Sequence, residues 1–210
     1  MPITISICGY ALAAAIIFTY VGQSGEYAVA GYGVGTRIEQ VVLLPILGIN
    51  TAIISIIAQN YGANNLYRIK ETYFTAIKYA FIIMITAGTL VFLSASVITS
   101  FFSNDPEVIE YGKRYLKISA FVLPAYPVFF LSNGFFMALK KSEYAMFSNF
   151  FRNVLNPIVV FYIAQYINAS FETFFWIWVG INWFFSISYF FIVIYYFKLK
   201  LNKSSTVVHP

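Results

Sequence analysis

One stretch constrains the fold of this chain more than any other: GYGVGTRIEQVVLLPILGINTAIISIIAQNYGANNLYR, residues Gly31–Arg68. It is long and apolar enough to cross a bilayer, which takes roughly 20 residues of helix. Yet it carries Arg37, Glu39, Gln40, Pro45, Asn50 and Thr51, and a simple anchor has no use for them. At about 100° per residue, Thr36, Glu39, Gln40, Asn50, Thr51 and Ser55 fall on one side. Ile38, Val42, Ile46, Ile49, Ile53 and Ile56 fall on the other. The expectation is that the isoleucine side faces lipid and the polar side a polar interior. A charge at mid-bilayer costs about 2.5–3.5 kcal/mol or more, so Glu39 placed there needs a function. Placed in the headgroup zone, Arg37 and Glu39 would only start the helix.

Composition sets the class. The chain of 210 residues is 60% hydrophobic, 20% aromatic and 10% charged, against about 25% charged in a soluble domain. It reads as an integral membrane protein. The net charge of +5 does not point to nucleic acid, because the basic residues lie in short segments between apolar runs, where they report orientation. Cys8 is the only cysteine and His209 the only histidine, too few for a disulfide or for a zinc site built from His and Cys. No cofactor is expected.

Six spans follow from the pattern, at about 3–21, 36–60, 72–102, 112–139, 143–167 and 171–197, within one lobe over residues 1–200 and ahead of a tail at 201–210. The first lacks the basic start and cleavage site of a signal peptide and reads as a retained helix. Gly62 with Asn64-Asn65 closes the second. Asp105-Pro106 caps and opens the fourth, in which Pro124 and Pro127 predict a kink. Basic residues at Arg68 and Lys70, at Lys140 and Lys141, and at Lys198, Lys200 and Lys203 mark one side. By the positive-inside rule this is the cytoplasm, so both termini are expected there; Lys113, Arg114 and Lys117 are the exception.

Other helices carry polar stripes. In the fifth, Asn149, Arg152, Asn153 and Asn156 stand at i, i+3, i+4 and i+7. In the fourth, Tyr115, Ser119, Tyr126 and Asn133 track one side, as do Asn182, Ser186 and Tyr189 in the sixth. Such stripes either line a path or hydrogen-bond a bundle together. Arg152 needs an anionic or carbonyl partner, and Glu39 is the acidic residue placed deep enough to serve.

GYGVGTRIEQVVLLPILGINTAIISIIAQNYGA and the basic start of the next helix resemble the eighth-helix signature of the multidrug and toxic compound extrusion (MATE) family. LSNGFFMALKKSEYAMFSNFFRNVLNPIVV is similar to that family's tenth-to-eleventh helix passage, and Pro2 sits where the family often has a proline opening its seventh helix. The resemblance covers essentially the entire chain. It implies an all-α membrane protein: six transmembrane helices forming one lobe of a twelve-helix transporter of the MOP superfamily. It implies export of small organic cations in exchange for Na⁺ or H⁺, and no enzyme. The lobe would sit in lipid in a bacterial inner membrane, facing a missing N-terminal lobe or a second copy of itself. Glu39 falls where some members place an acidic residue of the second-lobe cavity, whereas Tyr126 replaces an acidic residue found in several. The path residues implied are Glu39, Gln40, Asn50, Tyr126, Asn149, Arg152, Asn153 and Asn156. The alternatives are a lipid-linked oligosaccharide flippase of the same superfamily, which would want several basic residues in its cavity, and a non-transporting structural fragment.

Overall fold

The computed structural model describes residues 2–205, with burial described for Gly9 and residues 11–199. His209 and residues 206–210 of the expected tail lie outside the described residues. The chain is helical almost throughout: α1 (Pro2–Gly22), α2 (Glu26–Gly62), α3 (Leu66–Ser100), α4 (Pro106–Ser119), α5 (Tyr126–Ala138), α6 (Ser142–Phe150), α7 (Asn156–Tyr166) and α8 (Phe171–Ser205). A short 3₁₀ turn, Leu123–Ala125, joins α4 to α5, and a π-helical turn, Phe151–Leu155, joins α6 to α7. The result is about six rods. Among the described residues, Glu26–Gly62, Leu66–Ser100, Pro106–Ala138 and Phe171–Leu199 are long and apolar enough to cross a membrane, and Ala11–Gly22 is a shorter apolar helix.

The turn chemistry explains the breaks. Asn64, Lys140 and Asn168 follow helix ends with φ of 55°, 58° and 48°, the left-handed conformation that closes helices. The Asp105 side chain accepts from the Glu107 amide at 2.9 Å and, more weakly, from Val108 at 3.4 Å, while Pro106 occupies the first turn, where its missing N–H costs nothing. The expected kink near Pro124 and Pro127 is present. Between Ser119 and Tyr126 the α-helical pattern tightens, and the amides of Phe121, Val122, Ala125 and Tyr126 each bond three residues back.

Several boundaries differ from the sequence reading. Helices α2 and α3 begin at Glu26 and Leu66, upstream of the expected spans, because polar helical turns project beyond the apolar run. Residues 201–205, expected in the tail, continue α8. The fifth rod is not one regular helix. Pro157 has no N–H to give the Asn153 carbonyl, and the Asn156 amide instead bonds five residues back to Phe151.

The facing of α2 is also corrected. Ile38, Ile46 and Ile53 are buried inside the bundle, and of the isoleucines expected on lipid only Ile56 is exposed. Glycines cause this. A Cβ on Gly31 would come within 2.7 Å of the Gly112 nitrogen and 2.8 Å of the Val108 oxygen in α4. The two backbones therefore meet through the small-residue side of α2, and the isoleucines at matching positions go inward with it. The outward side combines Val41, Leu44 and Leu47 with Gln40, Thr51 and Ser55. The core below is aromatic, with Tyr73, Phe135, Phe136 and Phe174 fully buried.

Candidate functional site

Glu39 belongs to the side of α2 that turns toward α4 and α5. Tyr115, at the end of α4, donates its hydroxyl to Glu39 Oε2, and Tyr126, which opens α5, donates to Oε1 at 2.5 Å. Both tyrosines are buried. The kink between α4 and α5 lets two tyrosines eleven residues apart reach one carboxylate. Gly35 makes room: a Cβ there would overlap the Tyr115 ring. Beside the carboxylate is a crevice of about 10 Å³ among Tyr115, Ser119, Phe175 and Trp178, the size at which a cavity begins to hold a single water. That crevice has no room for an organic cation.

Arg152 approaches the same tyrosine from the other face. Its guanidinium lies 4.7 Å from the Tyr126 ring, 4.3 Å from Phe129 and 5.2 Å from Phe130. The expected Glu39–Arg152 ion pair is absent among the described residues; Tyr126 stands between the two charges. Cation–π contacts are worth about 0.5–2 kcal/mol each, enough together to offset the lower figure for a charge in the bilayer. They do not satisfy N–H donors, and Arg152 Nη1 is buried without a hydrogen-bond partner.

The remaining expected residues separate. Gln40 is exposed on the outward side of α2, away from Glu39. Asn50 lies three turns further along, against Gly134 of α5, with its Oδ1 buried and unpartnered. Asn149 accepts a long hydrogen bond, 3.5 Å, from Asn133, whose own Oδ1 accepts from Tyr189 at 3.0 Å. Ser186 donates to the Ala125 carbonyl at 3.1 Å. The stripes of the fourth and sixth rods therefore meet each other and hold α5 to α8. The π turn breaks up the predicted face of the fifth rod: Asn153 packs near Gly9 of α1, and Asn156 is fully buried with neither amide atom hydrogen-bonded. Sequence reasoning missed Phe129 and Phe130 as the seat of Arg152. Their spacing of three and four residues from Tyr126 was the available signal.

Beside this cluster, and sharing Phe129 and Arg152 with it, a cavity of about 720 Å³ opens between α6 and α8. Its lining includes Phe129, Lys141, Phe151, Arg152, Phe185 and Ser188.

With this geometry in view, comparisons with known proteins identify the relatives. The chain is 30% identical over 107 residues to an FAD transporter of Shewanella oneidensis, covering 51% of this chain and 24% of that protein. It is 24% identical over 164 residues to a probable multidrug resistance protein of Bacillus subtilis, YpnP, covering 78% and 34%. A solved MOP superfamily transporter from Pyrococcus furiosus superposes with a TM-score of 0.88 at 21% identity, covering 94% of this chain and 45% of that one, a likeness of fold. The chain thus spans less than half the length of these relatives. The MatE family profile matches residues 2–163, and the chain belongs to the MatE family, which is one of membrane transporters and not of enzymes.

Proposed function

We propose that the chain forms one six-helix lobe of a MATE-type exporter, moving organic cations outward in exchange for Na⁺ or H⁺. The observation that carries this reading is Glu39, an acidic side chain of a membrane-length helix that has no ion pair among the described residues and is held by Tyr115 and Tyr126. Two neutral donors orient the carboxylate without an ion pair among the described residues, so a cation or proton arriving from the cleft meets no competing charge on it. A carboxylate locked to Arg152 would present one. The multidrug relative in Bacillus subtilis and the coverage of about half of a solved transporter support a lobe that works against a second one, as in repeat-built transporters.

In this reading the partner is the N-terminal lobe or a second copy, and substrate meets Glu39 in the cleft between lobes, at the bacterial plasma membrane with both termini cytoplasmic. A lipid-linked oligosaccharide flippase is less well supported, because Arg37 is exposed and, of the two arginines the sequence offers for such a cavity, Arg152 alone remains. In cells expressing the complete assembly, Glu39→Gln should abolish resistance to a toxic organic cation while folded protein in the membrane stays within about twofold of wild type. Equal loss of both would make Glu39 a structural residue.

A further inference from the structure

The cavity between α6 and α8 takes no part in holding Glu39, and its construction points to a ligand of its own. On either side of the π turn the fifth rod has different neighbours: α7 packs on α8, whereas α6 packs on α5. The walls left on either side are Tyr144, Phe147 and Phe151 from the fifth rod and Phe185, Tyr189 and Ile192 from α8. Phe147 and Ile192 remain exposed, so the cavity opens between two rods through an apolar rim. Such a rim suits a hydrocarbon chain better than a fully polar solute.

The polar groups are unequal in charge. Arg152 lines the cavity with one guanidinium nitrogen buried and unpartnered. Lys141 lines it nearer the start of α6, with no ion pair to any described residue, and Glu143 is the single acidic group. Two cations and one anion in an aromatic slot favour a negatively charged guest. The Phe129 and Phe130 rings under Arg152 disperse its charge without offering an acceptor, and Nη1 is left without a hydrogen-bond partner.

We infer that this cavity is a binding site for an anionic lipid, whose carboxylate or phosphate reaches Arg152 with Lys141 in support and whose chain lies along Phe147, Phe151 and Ile192. The site is separated from Glu39 by Tyr126, so it can be filled without blocking the carboxylate.

The test uses the full chain in isolated membranes and three photoreactive probes with the same hydrocarbon chain: a fatty acid, the corresponding alcohol and the corresponding amine. The fatty acid should label peptides spanning 141–152 and 185–192 about tenfold more than the alcohol or amine. All three should label the exposed Leu90 and Leu93 of α3 alike. Arg152→Gln should bring the cavity ratio to unity. Should that variant fail to fold, Ser188→Trp fills the cavity with Arg152 in place and should do the same. Phosphatidylglycerol should compete and inorganic phosphate should not. Equal labelling by the amine, an unchanged ratio in both variants, or competition by inorganic phosphate would each overturn the assignment.

Discussion

The hydroxyl of Tyr126 donates to Glu39 Oε1 at 2.5 Å, joining α5 to α2 across 87 residues of sequence. The same ring carries the Arg152 guanidinium on its face. One tyrosine thereby keeps two opposite charges apart in a lobe where a direct pair would neutralise both.

Tyr126→Phe separates these roles, since it deletes the hydrogen bond and keeps the ring under Arg152. It should lower thermal stability in detergent by about 1.5–3 kcal/mol, the worth of a hydrogen bond to a charged group. Tyr115→Phe should cost a similar amount. A neutral result for both would mean that Glu39 is not held by the tyrosines.

Close backbone approach makes a second prediction independent of function. Gly31→Ala drives a methyl group into the α4 backbone and should destabilise by about 1–3 kcal/mol or more. Gly48→Ala meets nothing within 4 Å and should be neutral or stabilising by up to about 1 kcal/mol, as expected for alanine in a helix interior. Equal effects at the two sites would refute the tight α2–α4 packing.

Asn156 buries an amide with no hydrogen bond, an arrangement that costs about 1–3 kcal/mol by mutational scales. Asn156→Leu should leave thermal stability unchanged or raise it, while efflux by the complete assembly falls if the residue serves the path. A large loss of stability would show that a partner satisfies the amide.

Topology can be read with reporter fusions. Those after Asn65, Lys141 and Lys203 should report the cytoplasm and one after Ser103 the exterior. Asn65 and Ser103 reporting the same side would remove the span between them.

The rods and their breaks were legible in the sequence because local chemistry sets them: Asp105-Pro106 opens a helix and Asn64 closes one wherever the rest of the chain lies. The facing of α2 was not legible. A helix in lipid may turn either apolar side inward, and the choice fell to Gly31 and Gly35, whose partners Gly112 and Tyr115 lie about 80 residues away. Pro157 was the overlooked local signal. It broke the stripe from Asn149 to Asn156, which an unbroken helix would have kept on one face. Glu39 stood out as an expensive charge, but that two tyrosines and not Arg152 would hold it depended on the bend between α4 and α5.

Gradient-driven efflux of a fluorescent organic cation from proteoliposomes tests the role of Glu39 most directly. The complete assembly should export in response to an imposed Na⁺ or H⁺ gradient. The Glu39→Gln assembly, reconstituted at equal folded amount, should lose at least about tenfold of that rate, equivalent to about 1.4 kcal/mol in the barrier. Coupled efflux at the wild-type rate from Glu39→Gln would contradict the assignment of this carboxylate to the transport path.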